Sequence, residues 1–101
     1  MLNLIENNKL KLRILCEKYD INTMHVFGSV TSKHFNESSD VDMLISFKKI
    51  PFEKYTDNYF ELHEELEKLF NRKVDLLTER SLSNPYFIKS VEESKQLLYA
   101  A

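Results

Sequence analysis

Gly28-Ser29 is followed, after ten residues, by Asp40-Val41-Asp42 in the run GSVTSKHFNESSDVD. Side chains alternate between the two faces of a strand, so an extended DVDMLISF over residues 40–47 sets both carboxylates on one face, where they can share a hard cation. A third acid, Asp75, lies in a second short apolar run, KVDLLT, and a neighbouring strand there would bring it beside the pair. Gly28-Ser29 ends another strand-like run, Met24-His25-Val26-Phe27, where a residue without a side chain followed by a hydroxyl suits close approach of a phosphate to the backbone. Strand, Gly-Ser turn and Asp-x-Asp make a phosphoryl-transfer layout.

Three carboxylates near one point repel each other unless cations neutralise them. Magnesium is the natural choice, because it prefers oxygen ligands and commonly uses a few carboxylates plus substrate phosphates; two such ions can position both the attacking and the leaving oxygen. The bland alternative makes Asp40 a loop cap and Asp42 and Asp75 ordinary surface acids. Asp-x-Asp alone does not separate the two, whereas the Gly-Ser turn at this spacing favours the cation site.

The elements that must carry these residues are legible as patterns. Over residues 3–20, Ile5, Leu12, Leu15, Cys16 and Tyr19 recur at helical spacing between charges, which predicts an amphipathic helix covering a sheet. Residues 21–27 have the β-branched and aromatic content of a strand ending at the Gly-Ser turn. A short helix is predicted over 30–35, its free amides facing the turn, then a polar loop over 36–39 and the strand 40–47, closed by Pro51. The longest helix, within 55–72, has Tyr59, Leu62, Leu66, Leu69 and Phe70 on one face and Glu61, Glu64, Glu65, Glu67 and Lys68 on a solvated one. Residues 73–78 are the next strand, and Asn84-Pro85 caps and opens a last helix carrying Phe87, Ile88, Val91 and Leu98. The predicted order is α-β-α-β-α-β-α, an α/β (α+β) fold with a small mixed sheet covered by helices. No repeat or linker divides residues 1–101, which are expected to form one domain.

Bulk properties narrow the function. With 43% apolar and 30% charged residues, one Gly and two Pro, the chain reads as ordered and not as a tail. A net charge of −2 gives no global attraction to nucleic acid, so no direct nucleic-acid binding is expected and any contact must be local. The single Cys16 excludes an internal disulfide, and no Cys/His spacing suits zinc. No apolar run approaches a membrane span, which with the lone cysteine points to the cytoplasm.

Gly28-Ser29, ten residues, Asp40-Val41-Asp42 and a lone Asp75 on a later strand resemble the nucleotidyltransferase superfamily of polymerase beta, and the shortness of the chain resembles its minimal nucleotidyltransferase (MNT) members. Ser39, Leu44 and Ile45 agree with the family's S-D-x-D followed by an apolar strand. The resemblance implies that Gly28 and Ser29, with Ser39, hold the triphosphate of an NTP, that Asp40 and Asp42 bind two Mg2+ ions, and that Asp75 helps bind metal and activates an acceptor hydroxyl. One departure touches phosphate binding: an Arg-Gly pair common after the turn is Ser32-Lys33 here. Lys33 offers a positive charge one position further on, but an ammonium does not reproduce an Arg fork, so weak turnover or altered nucleotide choice would follow.

MNT proteins pair with HEPN-domain partners as two-gene toxin–antitoxin modules, and the resemblance implies an antitoxin that transfers AMP from ATP to a tyrosine of the HEPN toxin, in a homo- or hetero-oligomer. An alternative is a binding module, catalytically weak or inactive, that neutralises its partner by occupancy. A small-molecule modifier similar to aminoglycoside nucleotidyltransferases is disfavoured, because those carry an extra domain for the acceptor. Elsewhere, His34 reads as a loop surface group, His25 and His63 as packing or hydrogen-bonded residues, and Cys16 as a small core residue. Tyr59 and Phe70 read as core, while Phe52 and Tyr55, placed after Pro51 and outside regular elements, are candidates for a contact surface.

Overall fold

In the computed structural model, residues 2–28, 36 and 38–101 are described. Two helices, α1 (Leu2–Glu6) and α2 (Lys9–Lys18), precede strands β1 (Ile21–Phe27) and β2 (Val41–Phe47). Helix α3 (Phe52–Phe70), strand β3 (Val74–Thr78), a 3-10 turn at Glu79–Ser81, helix α4 (Pro85–Ser94) and strand β4 (Gln96–Ala100) follow. Among the described residues four strands form one mixed sheet in the order β3-β2-β1-β4, with β1 antiparallel to β2 and β4, and β2 parallel to β3.

Strand alternation sorts the sheet into two faces. Val41, Met43 and Ile45 of β2 and Val74 and Leu76 of β3 join Leu12, Cys16, Leu62, Leu66 and Phe70 in the main core, between sheet and α2/α3. Leu44 and Leu77, of the opposite parity, pack with Phe27 and Val91 in a smaller cluster under α4. Asp42 and Asp75 share the parity of Leu44 and Leu77 and so stand on the α4 side.

The main core also fixes the outer edge of the sheet. Tyr59, His63 and Glu67 lie four residues apart on one stripe of α3, facing edge strand β3. The Tyr59 hydroxyl donates to the Leu76 carbonyl, His63 Nε2 donates to the Val74 carbonyl at 2.8 Å, and Glu67 Oε2 accepts the Val74 amide at 2.9 Å. Edge groups that would otherwise face water or another strand are thereby satisfied within the chain.

Four expectations change. The helix over 3–20 breaks after Glu6, because the Asn8 amide nitrogen donates to the Leu4 carbonyl at 2.8 Å and ends α1 instead of continuing it. α3 starts at Phe52, with Pro51 extended at φ −60 and ψ 150 as its N-cap, so Phe52 and Tyr55 are helical and Pro51 opens α3. α4 stops at Ser94 and Leu98 lies on β4, a strand absent from the expected order; Lys95 turns extended (ψ 141) and the chain pairs with the free side of β1. Glu67, expected on a solvated face, is committed to the Val74 amide. Asp40 sits immediately before β2. No helix among the described residues is long and apolar enough to cross a membrane.

Candidate active site

Asp42 and Asp75 are register partners across the parallel β2–β3 pair. Half-burial, the strongest cause, then the hydrogen bond to Asp75 and the charges of Asp75 and Asp40, push the Asp42 carboxyl up to about 6. A carboxyl that bonds another carboxyl must carry a proton between them, or a cation must replace it.

Asp40 approaches this pair through Lys73, whose Nζ lies 3.9 Å from Asp40 Oδ2 and 3.9 Å from Asp75 Oδ1. Asp40 is therefore on the same side of the site but is not gathered with the other two: no group of three or more His, Cys, Asp or Glu side chains among the described residues is arranged to hold a metal ion. The donor chemistry nevertheless fits a hard divalent cation, since Asp40, Asp42 and Asp75 all offer oxygen ligands.

Gly28 ends β1 at φ +68, in the left-handed region. A Cβ built there would fall 2.6 Å from Asp42 Oδ2, so the backbone favours glycine and any larger residue would oblige the Asp42 carboxylate to shift. The Gly28 amide donates to Ser94 Oγ at 3.2 Å, and Ser94 Oγ donates to the Ser90 carbonyl at 3.1 Å, tying the turn to the last turn of α4. Ser29 and Lys33, with His34 and the helix expected over 30–35, lie outside the described residues.

Ser39 belongs to a tight turn in which its Oγ accepts the Asn36 amide at 3.1 Å and its amide donates to the Asn36 carbonyl at 3.1 Å. Arg72 Nη1 donates to the Asn36 and Ser39 carbonyls at 2.9 and 3.0 Å, and the Val41 amide donates to the Lys73 carbonyl at 3.1 Å. Arg72 and Lys73 thus set where β2 begins, and with it Asp40 and Asp42. Neither follows from spacing; the sole signal is two cations directly before an Asp-bearing strand.

A cavity of about 530 Å3 adjoins the acids, lined by Asp42, Asp75, Lys73, Tyr59, His63, Glu67, Phe27 and Phe87. Phe27 and Phe87 meet edge to face, ring centres 6.0 Å apart, and supply an apolar part of the lining. Away from it, Cys16 is fully buried, and burial followed by the charge of Glu17 pushes its thiol up to about 12, which fits a core residue and not a nucleophile.

The family model described as nucleotidyltransferase domain matches residues 9–98. A Methanocaldococcus jannaschii protein provisionally named a protein adenylyltransferase is 40% identical over 81 residues, 80% of either chain. Protein adenylyltransferase MntA of Thermococcus cleftensis is 34% identical over 82 residues, 81% of this chain and 77% of its own. A solved structure provisionally described as a minimal nucleotidyltransferase superposes with a TM-score of 0.76 at 26% identity, over 94% of this chain and 93% of the other. A chain from the tri-AMPylated Shewanella oneidensis HEPN toxin in complex with MNT antitoxin superposes with a TM-score of 0.66 at 19% identity, over 95% and 72% of the two chains; it shares the fold.

Proposed function

The chain belongs to the nucleotidyltransferase domain family, and from that premise we propose that it transfers AMP from ATP to a tyrosine hydroxyl of a HEPN-domain toxin in the cytoplasm, acting as the antitoxin. The pairing of Asp42 with Asp75 beside Gly28 is the observation that carries this reading. The name of the Thermococcus cleftensis relative supports the reaction, and the HEPN–MNT complex of the same fold supports the partner.

Asp40, Asp42 and Asp75 are the residues that would hold Mg2+. When bound, the ions neutralise the triphosphate and the charge that develops on the leaving group. The rest falls to the chain. Gly28, having no side chain, leaves the backbone open to the phosphates, and Ser29, Lys33 and Ser39 add hydroxyls and a positive charge to that contact. Asp75 accepts the acceptor hydroxyl's proton; the oxygen–phosphorus bond forms at the α-phosphate as the bond to pyrophosphate breaks. Lys73, 3.9 Å from both Asp40 Oδ2 and Asp75 Oδ1, places a positive charge between these two acids.

Incubation with labelled ATP, Mg2+ and the partner encoded beside it should add one AMP mass or more to a partner tyrosine, with pyrophosphate released. No label from any NTP while protection of cells persists would overturn the reaction. Ser32-Lys33, in place of the family's Arg-Gly, favours a second reading: neutralisation by occupancy. Asp42→Ala separates the two, since transfer requires the acid and occupancy does not.

A further inference from the structure

The end of β2 remote from Asp42 borders a second cavity, of about 550 Å3, between the ends of β2 and β3 and the start of α3. Phe47 on its wall is five positions along β2 from Asp42, roughly 17 Å of extended chain, so the two sites are distinct. Lys48, Lys49 and Arg80 line it, all exposed, and none makes an ion pair among the described residues. Lys54, one turn into α3, shows the contrast, holding Asp20 at 2.9 Å. The wall carries a single carboxylate, Glu79, so the cavity is net positive on a chain whose net charge is −2. Three cations against one carboxylate on the wall leave an excess of positive charge, an arrangement that a bound anion relieves.

The same wall is aromatic. Phe47 and Tyr55 meet with ring centres 4.6 Å apart, and the Arg80 guanidinium lies 5.9 Å from the centre of the Tyr55 ring. Phe52 is 80% exposed at the rim, an apolar ring with an uncovered face. Cations that take phosphate, next to an open ring that takes a planar base, are the two parts of a nucleotide platform. The volume falls within the ~300–1,000 Å3 of small-molecule sites, which favours a nucleotide-sized occupant over a broad protein contact.

We propose that this cavity binds a nucleotide, its phosphate on Lys48, Lys49 and Arg80 and its base against Phe52. A free nucleotide and the terminal nucleotide of a single strand present the same phosphate and base. Neither needs a divalent cation here, because no carboxylate pair faces the cavity. The site is independent of the transferase reading.

The test is titration of the isotope-labelled protein in EDTA with AMP, and separately with a short 5′-phosphorylated oligonucleotide, followed by NMR. Shifts are expected at Lys48, Lys49, Phe52 and Arg80, unchanged in Asp42→Asn. Affinity for AMP should fall roughly tenfold in the Lys49→Ala/Arg80→Ala variant and in Phe52→Ala. Inorganic phosphate, which has no base, should lose affinity in the first variant only. Binding of AMP identifies a free nucleotide as the ligand; binding of the oligonucleotide alone identifies a strand end. The proposal fails if neither probe shifts these residues, if shifts are confined to Gly28 and Asp42, if Phe52→Ala leaves AMP binding intact, or if an acidic peptide binds as tightly as AMP.

Discussion

Asp42 and Asp75 face each other as register partners across the only parallel strand pair among the described residues, and Asp42 is the acid that pays for the closeness. Its carboxyl is raised from 3.8 to about 6 by burial, by the hydrogen bond it donates to Asp75 and by neighbouring negative charge. Because the folded carboxyl holds its proton to higher pH than the unfolded one, the folded state binds more protons between pH 3.8 and about 6, and stability falls as pH rises through that window. Solvent screening of a half-buried group limits the loss to about 1 kcal/mol. Melting temperature measured against pH without divalent ions should decline across the window, and Asp42→Asn should flatten the decline. Added Mg2+ should restore stability above pH 6 in the native chain and not in Asp42→Asn; equal response of both would mean that the ion binds elsewhere.

Gly28→Ala meets two obstacles, a left-handed backbone and the carboxylate oxygen 2.6 Å from the new methyl. The backbone part alone costs about 1–2 kcal/mol. Denaturant unfolding of Gly28→Ala with and without Asp42→Ala separates the two parts. The double variant should recover about 1 kcal/mol relative to the sum of the single changes, since the contact is then relieved. Additive costs would show that Asp42 moves aside freely.

Much of this site is visible in the chain as text, for reasons that are local. Gly28, Asp40, Asp42 and Asp75 stand out because strand alternation and turn chemistry act over a few residues. β1, β2 and β3 announce themselves through short apolar runs, and α3 through its long apolar stripe. β4 does not, because QLLYA continues a helical-looking pattern and becomes a strand only where β1 offers an unpaired side. Glu67 looks like one more solvated glutamate until α3 packs against the β3 edge and presents it to the Val74 amide. Arg72 and Ser94 act on partners 33 and 66 residues away, at Ser39 and Gly28, a distance no pattern reports.

Arg72→Ala removes both bonds that draw the turn at Asn36 and Ser39 toward β3. Hydrogen bonds from a charged donor are worth about 1.5–3 kcal/mol each when sheltered, and exposure at this turn reduces the total to about 1–2 kcal/mol. The larger effect should fall on transfer, with a several-fold rise in KM for ATP, because Ser39 and Asp40 lose their anchor. Arg72→Lys keeps the charge but not the planar guanidinium that aims Nη1 at both carbonyls, and should recover less than half. Steady-state AMP transfer beside thermal unfolding distinguishes misplacement from instability: parallel losses would make Arg72 a stability residue alone.

Val74 carries Asp75 in the next position, and its two backbone polar groups are held by His63 and Glu67 from α3. Glu67→Ala leaves the Val74 amide without its acceptor at a partly buried edge, a cost of about 1–2 kcal/mol, whereas Glu67→Gln keeps an acceptor oxygen and should cost less than half as much. The local consequence is more specific than the global one. Amide exchange at Val74 should accelerate in Glu67→Ala well beyond the acceleration at Leu62 or Leu66 in the α3 core, because the edge opens before the domain does. His63→Gln should weaken the same clamp from the carbonyl side, and the two changes together should cost less than their sum, since either one already frees Val74. Uniform acceleration across all amides would assign these residues to general stability and leave the placement of Asp75 to its pairing with Asp42.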